Sequence, residues 1–246
     1  MDSRKSMQKK GMTGAGRIAI SFLALFFVLI LCTVSLAGVK AGMVTHLSGP
    51  LFAKKADGTT MILSINSVVE QGDLLVTEKG TYARIKFTDN GELTMRPNTR
   101  FKISQYNFDS GAPKMDVMVI NLIKGGMRSM TGMIGKRGDQ DSYKMMTNGA
   151  IIGIRGTTYE GRICEGNCGL IPDGFYLLVL EGIINVRNSA GSKNINAGQY
   201  AYVKNEVSEP QILPGNPGLD FTLPPSFRDV SKDVGINDLN GGCVVR

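Results

Sequence analysis

From Gly42 to about Asn205 the chain carries a turn signal roughly every ten residues, and that spacing restricts it to short strands. Ala83-Arg-Ile-Lys-Phe-Thr88 alternates apolar and polar side chains, the period of a strand with one buried face. Asp89-Asn90-Gly91 supplies a hairpin turn, and Gly91-Glu-Leu-Thr-Met-Arg96 alternates again until Pro97-Asn98 stops it. Val117-Met-Val-Ile-Asn-Leu-Ile123 reads as a buried strand ending at Gly125-Gly126. Tyr176–Leu180 and Gly182–Val186 read as two strands flanking a tight turn, and Gln199–Val203 as a last strand after Ala197-Gly198. No window sustains an apolar stripe at helical spacing. The expected class is therefore all-β, a solenoid, sandwich or barrel of short strands preceded by one hydrophobic leader helix.

The basic balance does not point to nucleic acid. Residues 1–41 hold a net +5 of the chain's formal +7, which leaves +2 for everything that folds. A phosphate-binding stripe would have to lie in the folded part. The early cations instead precede an apolar run, Ile18–Leu31, followed by small residues at Ser35 and Ala37. That order is the pattern of a secretory signal peptide cleaved after Ala37, with Val39 and Ala41 as a second such pair. Extended to Val39 the run is also long enough to anchor the chain in a bilayer with its basic end inside. Both readings put residues from about 42 onward outside the cytoplasm. After Glu206 five of the nine prolines fall between Pro210 and Pro225, so residues 206–246 read as an extended tail, a linker or a strap across the domain.

Residues of reactive type are few. Cys164-Glu-Gly-Asn-Cys168 is a close pair, most simply a disulfide in an oxidising compartment, with free thiols and a metal site as alternatives. A bridge across so small a loop is worth roughly 2 kcal/mol. Cys32 lies in the leader and Cys243 in the tail. His46 is the only histidine, there is no Gly-x-Ser-x-Gly elbow, and Gly135-Lys136 lacks the flanking residues of a phosphate loop. The acidic residues Asp73, Asp89, Glu92, Glu160, Glu165 and Glu181 are read mostly as turn-flanking. No catalytic residue, metal ligand or cofactor is expected. One segment, 124–138, is rich in Met, Gly and cations. It is read as a surface loop whose Lys124, Met127, Arg128, Met130, Met133, Lys136 and Arg137 form a candidate binding surface, because Met adapts to varied partners and cations suit acidic groups.

Gly72-Asp-Leu-Leu-Val-Thr77, the strand from Ala83, Asp89-Asn-Gly91, Lys124-Gly-Gly126, Thr147–Tyr159, Leu180-Glu-Gly182 and Ala197-Gly-Gln199 follow one another in an order that resembles the FecR domain of bacterial envelope proteins. The resemblance spans residues 42–205. It implies a solenoid-like periplasmic domain in which the Gly-Asp, Gly-Thr and Glu-Gly steps are strand-to-strand corners. Regulators of that family sense an outer-membrane receptor and control a sigma factor through a cytoplasmic N-terminal domain. About 16 residues precede the apolar run here, too few to fold as such a domain. The loop around Cys164–Cys168 looks like an insertion.

Three functions follow as expectations. The first is an exported binding or scaffold module, periplasmic or secreted, contacting an envelope protein or polysaccharide. The second is a regulator held at the inner membrane by residues 18–39. The third is a carbohydrate-active enzyme using two turn carboxylates.

Overall fold

A computed structural model describes residues 38–137 and 141–227. The leader, Cys32 and Cys243 lie outside the described residues. In chain order the strands are β1 (Lys40–Leu47), β2 (Leu51–Lys54), β3 (Thr60–Leu63), β4 (Val68–Glu70), β5 (Leu74–Thr77), β6 (Ala83–Phe87), β7 (Glu92–Met95), β8 (Arg100–Asn107), β9 (Val117–Lys124), β10 (Gly126–Met130), β11 (Tyr143–Met146), β12 (Ile151–Cys164), β13 (Gly174–Asn188), β14 (Gly191–Asn196), β15 (Tyr200–Val203) and β16 (Gln211–Leu213). Helical structure among the described residues is limited to single turns, such as Ile134–Arg137.

All sixteen strands belong to one curled sheet ordered β3-β2-β5-β8-β9-β11-β12-β10-β7-β6-β1-β4, with β13 on the far side of β12 and leading to β14, β15 and β16. Its two limbs share β12 and β13. The first part of β12 pairs with β11 over Ile151–Gly153, and the later part pairs with β10 over Thr158–Arg162. Its partner β13 follows it along the whole length, with register shifts between Arg155 and Tyr159. A solenoid stacks parallel strands, whereas here only β9 and β11 run parallel and every other pairing among the described residues is antiparallel.

The tight turn expected between Leu180 and Gly182 is absent, and Gly174–Asn188 is one continuous strand. Glu181-Gly182 and Gly156-Thr157 are corners inside strands, not between them. Gly156 has φ +62° and Gly182 φ +82°, both in the left-handed region, and both lie in the stretch where the β12–β13 register shifts. A Cβ on Gly182 would stand 2.7 Å from Thr157 Cγ2 and 2.9 Å from the Gly156 carbonyl oxygen. Glycine is needed there both for the dihedral and for the close approach.

The bend brings the inner faces of the limbs together. Phe101, Ile103, Ile120 and Leu122 of the first limb share one core with Ile85, Phe87, Leu93 and Met95 of the second, all almost fully buried. Phe87 stacks on Tyr106 across the limbs at 5.7 Å between ring centres. The Tyr106 hydroxyl lies 2.8 Å from Thr88 Oγ1 and accepts the Asp89 backbone N–H at 3.1 Å, so its polar end is satisfied. Threonine hydroxyls hold the crossings between limbs. Thr131 Oγ1 donates to the Thr157 carbonyl at 2.6 Å and accepts the Thr157 N–H at 3.0 Å. In the same way Thr99 Oγ1 donates to the Gly126 carbonyl at 2.9 Å and accepts the Gly126 N–H at 3.0 Å.

Replacing Gly182 with Ala should therefore cost about 2–4 kcal/mol, the left-handed penalty plus overpacking. Gly58, at φ +88° with open space around it, is the control. Gly58→Ala should cost only about 1–2 kcal/mol. Urea denaturation of both variants measures the difference, and equal losses would show that the bend tolerates a side chain.

Candidate functional site

The outer face of the second limb is where side chains of chemical interest gather. Strand register sets them in rows across the sheet. Arg84 of β6 pairs with Thr94 of β7, Thr94 with Arg128 of β10, Arg128 with Glu160 of β12, Glu160 with Leu178 of β13, and Leu178 with Tyr200 of β15. One step along the strands, Lys86, Glu92, Met130 and Thr158 form a parallel row. On the other side Arg162 pairs with Tyr176, and Tyr176 with Tyr202. Opposed residues on one face of a sheet stand close enough to interact. The face therefore grades from cationic at β6–β10 to aromatic at β13–β15.

Arg96 and Glu160 form its fixed centre. Their guanidinium and carboxylate meet at 2.7 Å, with side chains 6% and 0% exposed. Glu160 does not flank a turn; it sits in mid-strand, where register against Arg128 and Leu178 leaves it facing outward beneath a cover. Arg162 lies nearby, its guanidinium pushed below the ordinary arginine value by burial and by the charge of Arg96, with Asp220 opposing the shift.

The cover is the tail. Beyond β16, residues 214–227 form no strand and cross the face as a strap. Leu219, Phe221, Leu223 and Phe227 are buried while Asp220 between them is exposed. Leu219 and Phe221 join Tyr176, Leu178, Tyr200 and Cys164 in a second apolar cluster separate from the main core. Phe227 reaches the far side, 5.6 Å from the Tyr82 ring and 6.2 Å from His46, and the Arg84 guanidinium lies 5.9 Å from its ring centre and donates to its carbonyl. A void of about 30 Å³, close to the space one water needs, is left between the strap and Arg84, Thr94, Arg128 and Thr158. Partial burial pushes the Asp220 carboxyl up, but hydrogen bonds from Thr222 and the charges of Arg96 and Arg162 outweigh it and hold the group below the ordinary carboxylate range.

Cys164 and Cys168 are joined by a disulfide with Cα atoms 5.6 Å apart. It braces the loop between β12 and β13. Within that loop Asp173 Oδ1 accepts the Gly166 N–H at 2.7 Å, and the Tyr176 and Tyr202 hydroxyls donate to the carbonyls of Pro172 and Asp173. Cys168 and Ile171 pack against the same apolar cluster as the strap.

The candidate binding segment at 124–138 is not a loop. Its first half is the end of β9 and β10, an internal strand between β7 and β12, and Ile134–Arg137 form a single helical turn. Met127 is fully buried in the main core, a packing residue rather than a contact residue. Arg128 and Met130 point to the strap-covered face, whereas Lys124 is exposed at the end of β9. Met133, 39% exposed, begins the turn that carries Lys136 and Arg137. Arg137 is engaged structurally: its Nε donates to Asp116 at 3.0 Å, and its guanidinium lies 4.9 Å from the Phe108 ring centre. Glycines and cations in the segment mask its strand in the sequence. Alternation at Met127, Arg128, Ser129 and Met130 was the signal that could have revealed a strand.

Glu165 is exposed on the disulfide loop, and the remaining four acidic residues have structural partners. Asp73 accepts Lys55 at 2.9 Å, Asp89 receives the N–H groups of Gly91 and Ile134, Glu92 lies 3.6 Å from Lys86, and Glu181 accepts the Thr158 hydroxyl. Among the described residues no group of three or more His, Cys, Asp or Glu could hold a metal ion. Nor is any described helix long and apolar enough to cross a membrane.

Residues 73–185 match the family model described as FecR protein, so this stretch of the chain is a FecR domain. The match runs from the start of β5 into β13 and is narrower than the 42–205 expected. β1–β4, β14–β16 and the strap lie outside it. No curated protein matches the chain. Two crystal structures of a candidate anti-sigma factor from Parabacteroides distasonis ATCC 8503, at 2.50 and 1.65 Å resolution, are similar at 11% identity with a TM-score of 0.44. The similarity covers 57% of this chain and 58% of theirs, so the chain spans under two thirds of their length.

Two outcomes follow. Arg96→Met should destabilise the protein by about 3–5 kcal/mol because it strands a buried carboxylate, and adding Glu160→Leu should recover most of that loss. Chemical denaturation of the single and double variants decides it. Replacing both Cys164 and Cys168 with Ser should cost about 2 kcal/mol. Faster thermolysin cleavage at Leu170, fully exposed at the loop tip, would report the freed loop.

Proposed function

We propose that the protein is an exported, non-catalytic regulator that works through protein contacts outside the cytoplasm, with the second limb's outer face as its contact surface. The observation that carries this reading is the FecR domain at residues 73–185. The Cys164–Cys168 bridge supports export, since such a bond persists in an oxidising compartment. The charge distribution of the face supports a protein or envelope polymer as partner: Arg84, Lys86, Arg128 and Arg162 lie beside tyrosines and leucines, a mixture typical of protein recognition. A signalling role is the family's contribution to this reading. A passive scaffold for an envelope protein or polysaccharide is the same surface used without a downstream response.

Location and role can be tested separately. In rapidly quenched native cells Cys164 and Cys168 should resist a maleimide tag until a reductant is added. Free thiols at both positions would overturn export. Deleting the gene should shift a defined set of transcripts, and the intact chain supplied in trans should restore them. A null transcript response, with purified protein showing hydrolytic turnover that one acidic substitution abolishes, would replace the regulator with an enzyme.

A further inference from the structure

We propose that the outer face of the second limb is a receptor groove for an extended segment of a partner protein, one with apolar residues at alternate positions and a carboxylate between them, and that residues 214–227 are a built-in occupant which such a segment displaces. The inference rests on reading the domain as a protein-contact module and names the class of partner.

The strap itself defines the ligand chemistry. Leu219, Phe221 and Leu223 are spaced by two and all buried, the side-chain rhythm of an extended peptide laid face-down. Asp220 and Thr222 alternate with them; Asp220 Oδ1 accepts the Thr222 N–H at 2.8 Å and its hydroxyl at 2.7 Å, and these bonds, with a smaller contribution from the charges of Arg96 and Arg162, hold the carboxyl below the usual range despite partial burial. Five cations, Arg84, Lys86, Arg96, Arg128 and Arg162, share the face with the acids Glu92, Glu160 and Glu181, so the groove favours an acidic occupant.

Two observations separate the strap from the fold it covers. It packs into its own apolar cluster, apart from the main core. None of residues 214–227 belongs to a strand, so side-chain burial rather than ladder pairing holds them. A segment attached this way opens locally more easily than the strands beneath it. While it is docked, a partner sees the groove only in the fraction of molecules whose strap is open, which weakens apparent affinity by that fraction.

The test uses the full-length chain and a fluorescent peptide with the sequence of residues 214–227. Leu219→Ser with Phe221→Ser should loosen the strap. The loosened protein should bind the peptide at least about 10-fold more tightly than the unaltered protein, because the competitor has gone. A peptide with Asp220→Lys should bind several-fold more weakly, and less so as salt rises. Equal affinity of both proteins, no binding by a folded loosened protein, or indifference to Asp220→Lys would overturn the proposal. Should the loosened protein lose its β-sheet circular dichroism, hydrogen exchange on the unaltered chain decides. Amides of 219–223 should exchange through local opening well before those of β12. Exchange of both regions only through global unfolding would overturn displacement. Failure of the peptide with an intact transcript response leaves the regulator standing and removes only this groove.

Discussion

Everything in this fold depends on one bend. β12 and β13 pass from one limb of the sheet to the other where their register shifts around Gly156 and Gly182; both glycines take left-handed backbone there, and at Gly182 a Cβ would also collide with Thr157. The reciprocal hydrogen bonds between Thr131 and Thr157 fix the bend against the end of β10. With the limbs folded face to face, apolar residues of both strands' inner faces reach a common core, and the sheet no longer has a solvent-facing apolar side to hide.

The bend has a second consequence. It orders the outer face as well as the inner one. Continuous register from β6 through β15 lines up Arg84, Thr94, Arg128, Glu160, Leu178 and Tyr200 as one row, although they come from residues more than a hundred positions apart. A row of this kind has an apolar end and a charged end, and neither can be left bare at no cost. The strap meets both requirements at once, with Phe221 against Tyr200 on the aromatic end and the Phe227 ring and carbonyl against Arg84 on the cationic one. The disulfide loop shares the aromatic end, so the covalent brace and the strap stabilise the same small cluster.

At the centre of the face the Arg96–Glu160 pair illustrates how burial raises the stakes of a polar contact. On an exposed surface such a pair would contribute about 0–1 kcal/mol. Under the strap its two members are nearly inaccessible, and losing one leaves a charge with little water to replace its partner.

The sequence by itself determined the β class, the positions of β6, β7, β9 and β15, the close pairing of Cys164 with Cys168, and the resemblance to a FecR domain. Those features are local: alternation, turn residues and short spacings act over a few neighbouring positions. Only the tertiary structure decided that Leu180-Glu-Gly182 bends a continuous strand instead of ending one, because a glycine permits either and the partner strand selects. Burial of Met127, the placement of Glu160 opposite Arg96, and the seating of Leu219 to Phe227 across six strands were likewise decided by distant contacts. Side chains on a strand know from sequence which of two faces they share, but what stands on the far side of that face is set by how the sheet curls.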